Sequence, residues 1–136
     1  MIVYVDSSAV VPLIKIEDTS QELSSYLDEL LEDGHLLVAG RLLETEVKRA
    51  ANRQGIDSTA VHQATAGITL VQHLGGDFTV AGSFPGENLG SLDALHLATA
   101  LRIGVDCMIT LDRQLEVSAE AAGIPVLDPS VPARGL

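Results

Sequence analysis

Two aspartates in this sequence follow short apolar runs that are typical of buried strands. Asp6 ends "IVYVD" near the start of the chain, and Asp112 comes two residues after Thr110 in "CMITLD". In open α/β sheets, functional crevices lie beyond the carboxyl ends of the parallel strands. If these two strands are parallel, both carboxylates are therefore expected at the same edge of one sheet.

Two further acids lie in segments with helical periodicity. Asp93 falls in the first turn of "SLDALHLATALRIG", after an expected N-cap at Ser91. The residues three, four and seven positions further on are His96 and two apolar residues, so Asp93 shares a largely apolar face. Glu46 lies in "LLETEVKRAANR", on a stripe that begins at Leu42 and also meets the core. Four acids that would normally be solvated are thus each predicted near apolar surface.

Each of these acids also has an ordinary structural explanation. Asp6 and Asp112 can cap the helices that follow them, which is a frequent role of aspartate. Asp93 near a helix N-terminus is favoured by the helix dipole, and Glu46 can pair with Arg49 three residues on. No acid taken alone distinguishes the two explanations.

Taken together, the four acids indicate a cation site. Two carboxylates ~4 Å apart repel each other by about 4 kcal/mol at an effective dielectric constant near 20. Several such pairs would consume much of the ~5–15 kcal/mol stability of a small domain. A converging cluster therefore needs protons or a cation, and oxygen ligands suit hard ions such as Mg²⁺ or Mn²⁺. A hard cation with open water positions is a common catalyst of phosphodiester hydrolysis.

The surrounding sequence predicts alternating strands and helices. Strands are expected at 2–5, 36–39, 69–72, 107–110 and 125–127, and helices at 7–14, 20–33, 42–53, 58–66, 91–104 and 112–122. Thr19 and Glu22 are expected to form a capping box for the second helix, and the glycine-rich stretch 73–90 is expected to hold one short helix and a loop. The pattern predicts a single α/β domain over 1–136, with a mostly parallel sheet of four to five strands and helices on both faces.

Composition and charge exclude several classes of protein. With 46% hydrophobic and only 3% aromatic residues, the 136-residue chain is expected to be globular with an aliphatic core. It has no apolar run near the ~20 residues of a membrane span, no signal-peptide features at its start, and a lone Cys107, so a cytoplasmic protein is expected. The net charge of −11 argues against nucleic-acid binding on bulk charge. However, an acidic stretch over 16–40 is followed by a basic patch over 41–53.

Four segments resemble, in order and spacing, the motifs of PIN-domain ribonucleases: "VYVDSSAVVPLI", "LLETEVKRA", "SLDALHLATAL" and "ITLDRQLEVSAEAAGIPVL". The resemblance covers nearly the whole chain and is closest to VapC-type toxins of type II toxin–antitoxin systems. It implies a Rossmann-like α/β/α fold and a Mg²⁺- or Mn²⁺-dependent endoribonuclease that cleaves structured RNA of the tRNA or rRNA class. It also implies a VapB-type antitoxin that occupies the active-site groove, and a homodimer.

Matched residue by residue, the resemblance assigns the family's acidic positions to Asp6, Glu46, Asp93 and Asp112. Glu44 is the nearby competitor of Glu46. The hydroxyls of Ser8 and Thr110 are expected to support Asp6 and Asp112. The three aspartates are then expected to hold one or two metal ions, while Glu46 binds metal or orients water. The stretch 73–90 matches the family least.

Other residues have two interpretations. Arg49, Arg53 and Arg113 are expected either to contact RNA phosphates or to be ordinary solvated arginines. His96 either forms a hydrogen bond near the site or is a buried structural histidine. Cys107 is expected in the core.

Two other functions are compatible with a small acidic α/β protein. A phosphoacceptor receiver domain would require paired acids after the first strand and an aspartate closing the third, but Asp57 in "QGIDST" lies outside any predicted strand. A catalytically inactive PIN-like protein that acts only as a binding module is the second alternative. Retention of all four acids argues against it.

Overall fold

The computed structural model describes residues 1–15 and 18–132, without the side chains of residues 18 and 19. These ranges contain four strands and six α-helices in the order β1 (Ile2–Val5), α1 (Asp18–Glu32), β2 (Leu36–Gly40), α2 (Leu42–Arg53), α3 (Ser58–Thr65), β3 (Ile68–Val71), α4 (Gly75–Ser83), α5 (Ser91–Ile103), β4 (Cys107–Ile109) and α6 (Arg113–Ala121). Two short 3-10 helices, Ser7–Ala9 and Val11–Ile14, connect β1 to α1. None of the helices in the described part of the chain has the length and apolarity to cross a membrane.

The strands form one parallel sheet in the order β3-β2-β1-β4. In β1, Val3 pairs with Leu37 of β2 and Val5 pairs with Ile109 of β4. The central strand β1 therefore ends beside β4, and the backbone N–H of Asp6 donates to the carbonyl of Ile109 at 3.0 Å. This register brings the residues that follow both strands to one edge of the sheet.

Successive side chains of β1 enter two different cores, as the alternation of a strand requires. Val3 and Val5 pack on the face covered by α1, α2 and α3, whereas Tyr4 packs on the face covered by α5 and α6. The α/β/α architecture with a parallel central sheet and helices on both faces agrees with the fold predicted from the sequence. Helix α5 is buried from Ala94 to Ala100, as its nearly uninterrupted apolar sequence predicts.

The structure differs from the predicted elements at three places. The predicted helix over 7–14 is two 3-10 helices, because Pro12 has no N–H to donate to the carbonyl four residues earlier. The strand expected at 125–127 is reduced to one bridge between Met108 and Val126. The N-cap of α5 is Gly90 and not Ser91. The predicted capping box depends on the side chain of Thr19, which lies outside the described residues.

Candidate active site

Asp6 is almost completely buried, and its two carboxylate oxygens have different surroundings. Its Oδ2 accepts hydrogen bonds from the Ser8 backbone N–H (3.2 Å), the Ser8 hydroxyl (2.6 Å) and the Thr110 hydroxyl (3.0 Å). Its Oδ1 is also buried, but it has no hydrogen-bond partner among the described residues. Asp6 therefore caps the following 3-10 helix with one oxygen and leaves the other without a hydrogen-bond donor.

Asp112 is half-buried and caps helix α6. Its Oδ1 accepts from the backbone N–H groups of Gln114 (2.8 Å) and Leu115 (3.1 Å). Thr110 connects this aspartate to the first one, because its hydroxyl donates to Asp6 and accepts from the backbone N–H of Asp112 at 3.1 Å. The Thr110 hydroxyl thus orients the carboxylate of Asp6, and it contacts only the backbone of Asp112.

Asp93 lies close enough to the other three carboxylates for their charges to raise its pKa. It lies in the first turn of α5, half-buried, and its pKa is raised to about 6. Burial is the largest cause, followed by the negative charges of Asp6 and Asp112, and the charge of Glu46 adds to them. The four acids predicted from the sequence therefore share one electrostatic environment.

Glu46 reaches this environment from helix α2. Its Oε1 lies 2.5 Å from Nε2 of His96, and its Oε2 accepts from the Ser7 hydroxyl at 3.2 Å. Glu44, the competing candidate, is held on the other side of α2 by Lys48 at 2.6 Å, and this ion pair lowers the pKa of Glu44. The structure thus places Glu46 beside the aspartates and Glu44 away from them.

A buried polar chain supports Glu46 from behind. Nδ1 of His96 lies 2.5 Å from the Tyr4 hydroxyl, which accepts the backbone N–H of Gly40 at 2.8 Å. His96 is completely buried, as the structural interpretation of this residue expects, and it also hydrogen-bonds within the acidic site. Gly40 is the residue that makes this approach possible, since a Cβ at this position would overlap the ring of His73 and lie 2.8 Å from the Tyr4 oxygen.

A second, partly buried chain of polar side chains contacts the start of α2. Nε2 of His73 accepts the backbone N–H of Leu42 at 3.1 Å, and Nδ1 of the same ring lies 2.7 Å from the Thr99 hydroxyl. Thr99 donates to Asp77 at 3.0 Å, and Asp77 is also paired with Arg102 at 2.8 Å. Burial alone would raise the pKa of Asp77, but the hydrogen bonds from Arg102, the Leu74 N–H and Thr99 outweigh burial and lower the pKa.

The three candidate arginines lie in different settings. Arg49 and Arg53 line a groove of about 370 Å³ together with Ser7, Glu46 and Leu92. Arg113 is exposed at the start of α6, and its guanidinium lies 3.2 Å from Glu116 on the same helix. The groove therefore joins two arginines to Glu46, whereas Arg113 has a local acidic partner.

The donor set suits a partly hydrated hard cation. Within the described part of the chain, no three His, Cys, Asp or Glu side chains are grouped closely enough to surround an ion by themselves. Mg²⁺, however, usually keeps several waters and binds only one or two carboxylates together with substrate phosphates. The unpartnered Oδ1 of Asp6, beside the half-buried carboxylates of Asp93 and Asp112, fits that mode of binding.

The sequence interpretation did not include Ser7 and Tyr4 among the site residues. Ser7 bonds Glu46 directly, and Tyr4 reaches it through His96. Tyr4 could have been recognised from the sequence, because it is one of only two tyrosines and lies in an otherwise aliphatic strand just before Asp6. No sequence pattern indicated the polar chain of His73, Asp77, Thr99 and Arg102, since its members are scattered over 73–102.

The sequence relatives of this chain are ribonucleases by name. Residues 3–121 match the PIN domain family. The chain is 35% identical over 131 residues to Ribonuclease VapC46 of Mycobacterium tuberculosis, covering 94% of this chain and 98% of that protein. It is 33% identical over 132 residues to Ribonuclease VapC35 of the same species, covering 93% of this chain and 96% of that protein.

Solved structures share the fold. The crystal structure of Mycobacterium tuberculosis VapC20, described as a Sarcin-Ricin loop cleaving toxin, superposes with a TM-score of 0.67 at 15% identity over 90% of this chain and 95% of that one. VapBC2 from Rickettsia felis, bound to a DNA fragment from its promoter, gives 0.69 at 10% identity over 93% and 98%. With the family match over most of its length and relatives above 30% identity, the chain belongs to the PIN-domain family, among the VapC ribonucleases.

Proposed function

We propose that this chain is a metal-dependent endoribonuclease and the toxin of a type II toxin–antitoxin system. The observation that carries the proposal is the buried Oδ1 of Asp6, which has no hydrogen-bond partner in the described structure. A buried carboxylate oxygen without a donor is costly unless a cation completes its surroundings. The names of the sequence relatives support ribonuclease activity for this chain.

Asp6, Asp93 and Asp112 would hold Mg²⁺ or Mn²⁺ between them. When bound, such an ion lowers the pKa of a coordinated water and offsets negative charge on the phosphate under attack. Asp6 is fixed for this role by Ser8 and Thr110, which hold its Oδ2 while Oδ1 stays available. Because Asp93 has a pKa of about 6, it is mostly ionised at neutral pH and contributes negative charge to the site.

Glu46 would act on the attacking water. Its Oε1 is held by His96, so Oε2 is the oxygen that orients a water molecule or accepts its proton. Arg49 and Arg53 line the groove next to Glu46 and would bind RNA phosphates on one side of the scissile bond. Arg113, which starts α6 immediately after Asp112, would contact the strand on the other side.

The substrate class and the partners extend this proposal. Structured RNA of the tRNA or rRNA class is the proposed substrate, in line with the description of VapC20 as a toxin that cleaves the Sarcin-Ricin loop. A VapB-type antitoxin is the proposed inhibitor, because an arginine offered by the partner could form charge-assisted hydrogen bonds with the acids in place of the metal. The toxin is proposed to act in the cytoplasm as a homodimer.

The decisive test compares wild-type protein with Asp6→Asn, freed of antitoxin, on structured RNA in Mg²⁺ and in Mn²⁺. Asp57→Asn is the matched control, since Asp57 also caps a helix, at 3.0 Å to the Thr59 N–H, but lies at the start of α3. Asparagine caps helices as well as aspartate does. We expect Asp57→Asn to cleave normally and Asp6→Asn to be inactive. Normal cleavage by Asp6→Asn would disprove the metal assignment.

A further inference from the structure

His96 is a completely buried histidine that connects the hydrophobic core to the acidic site. It lies on α5, between Tyr4 of β1 and Glu46 of α2. Both contacts are short: 2.5 Å from Nδ1 to the Tyr4 hydroxyl and 2.5 Å from Nε2 to Oε1 of Glu46. The ring also packs edge-on against Tyr4 and His73, with ring centroids 5.7 Å and 5.6 Å away.

The hydrogen-bond donors and acceptors in the series Gly40–Tyr4–His96–Glu46 allow one consistent arrangement. The Tyr4 oxygen accepts the backbone N–H of Gly40, and within the described structure Nδ1 of His96 is the one hydrogen-bond acceptor for the Tyr4 O–H, which therefore donates to it. Nδ1 is then an acceptor, and a neutral ring must carry its proton on Nε2. Nε2–H in turn donates to Glu46, so every donor in the series has an acceptor. The single acceptor of the buried Tyr4 O–H in the described structure thus determines the direction of the whole series.

This arrangement makes the two oxygens of Glu46 unequal. Oε1 accepts from a buried ring that has no room to turn, because His96 is held on both sides and is 0% exposed. Among the described residues, the hydrogen-bond partner of Oε2 is the rotatable hydroxyl of Ser7, at 3.2 Å, and both residues line the groove. Without His96, the Glu46 side chain would be free to choose other rotamers and to offer both oxygens to one ligand.

We propose that His96, with its tautomer set by Tyr4, is the positioning residue of Glu46 and restricts it to a single reactive oxygen, Oε2. This inference rests on the proposed function, in which Glu46 orients or deprotonates the attacking water. It assigns His96 no contact with RNA or metal. Groups that orient the residues of a catalytic metal site commonly change activity by about 10- to 100-fold when they are removed.

Two substitutions of the histidine separate positioning from mere packing. In His96→Gln the terminal amide can reach the position of Nε2 and still donate to Glu46, whereas in His96→Asn the shorter amide reaches only the position of Nδ1. We expect His96→Asn to lower kcat for RNA cleavage by about 10- to 100-fold with an unchanged KM, and His96→Gln to recover most of this loss. Equal losses in the two variants would overturn the proposal.

A double-mutant cycle then tests whether His96 acts through Glu46. In a Glu46→Ala background, His96→Asn should cause no further loss of kcat, because the side chain that it positions is already missing. If His96→Asn lowers kcat as much in the Glu46→Ala background as in the wild type, His96 has a separate role and the proposal is overturned. Val61→Ala, a core truncation on α3 away from the site, controls for lower stability and should leave kcat unchanged.

Nitrogen NMR of the histidine rings in metal-free protein gives a readout that does not depend on cleavage. We expect His96 as the Nε2–H tautomer, with a slowly exchanging ring N–H whose proton shift changes in Glu46→Gln. An Nδ1–H tautomer, or a ring signal indifferent to Glu46→Gln, would overturn the inference. If wild-type protein fails to cleave any structured RNA while this signature is present, the proposed function is disproved and the hydrogen bond that fixes Glu46 is established.

Discussion

Replacing Asp93 by asparagine should stabilise the metal-free protein. The pKa of Asp93 is raised from 3.8 to about 6, first by burial and then by the charges of Asp6 and Asp112. A rise of about two pH units corresponds to about 3 kcal/mol. Because the carboxyl group is only half-buried, solvent screening reduces this to about 1–2 kcal/mol. For a domain of this length, the melting temperature of Asp93→Asn should rise by about 3–8 °C at pH 7.

The pH dependence of this stabilisation follows from the raised pKa of Asp93 in the folded protein. The folded protein binds the proton of Asp93 more tightly than the unfolded chain does. The stabilisation by protonated Asp93 is therefore fully present below pH 3.8 and is lost as the pH rises through about 6. The advantage of Asp93→Asn should consequently be full above pH 6 and smaller at pH 5. Thermal unfolding followed by circular dichroism at pH 5 and pH 7, in the presence of a chelator, measures both values.

The same substitution at Asp77 is the matched control. Hydrogen bonds from Arg102, the Leu74 N–H and Thr99 hold the pKa of Asp77 low in spite of its burial. Asp77→Asn should therefore destabilise the protein by about 1–3 kcal/mol, whereas Asp93→Asn stabilises it.

Mg²⁺ or Mn²⁺ should raise the melting temperature of the wild type by mass action and leave that of Asp93→Asn unchanged. A lower melting temperature of Asp93→Asn at pH 7 without metal would refute the reasoning.

Three further changes test other parts of the site. Glu46→Gln should abolish most RNA cleavage and Glu44→Gln should not, because Glu46 and not Glu44 lies beside the aspartates. Comparable cleavage rates of the two variants in a gel-based assay would contradict this assignment. Gly40→Ala should destabilise the protein by about 1–3 kcal/mol in urea unfolding, since the new methyl group overlaps the ring of His73; wild-type stability would show that the ring can move aside. Arg53→Ala should raise KM and flatten the salt dependence of RNA binding in a filter assay by the loss of about one phosphate contact; an unchanged slope would place RNA elsewhere.

The sequence was sufficient for the sheet and for the acids that follow its strands. Periodicity located β1, β2 and β4 to within a residue or two, and parallel pairing of β1 with β4 brings Asp6 next to Thr110 and Asp112. Such local patterns are readable because a buried parallel strand is almost entirely apolar and ends where polar residues begin. The position of Glu46 also follows from helical spacing once α2 is placed against the core.

The sequence did not reveal the polar chains that hold the site in place. Tyr4, His96 and Glu46 are separated by 92 and 50 residues, and only the packing of α2 and α5 on the same end of the sheet brings them together. The bounds of α5 were predicted to within one residue, but its N-cap was assigned to Ser91 because the actual N-cap, Gly90, makes no side-chain hydrogen bond. Contacts of this kind depend on tertiary packing, which no local pattern encodes.

Capping a helix and binding a ligand do not exclude each other at Asp6 and Asp112, because each aspartate caps with only one of its two carboxylate oxygens. Asp6 caps with Oδ2, and its Oδ1 has no partner in the described structure. Asp112 caps α6 through Oδ1 alone, and Glu46 binds His96 through Oε1. A carboxylate that is fixed by one oxygen loses little further side-chain entropy when the other binds a ligand. The hydrogen bonds that fix one oxygen of Asp6, Asp112 and Glu46 would therefore also pre-organise these acids for a cation or a water molecule.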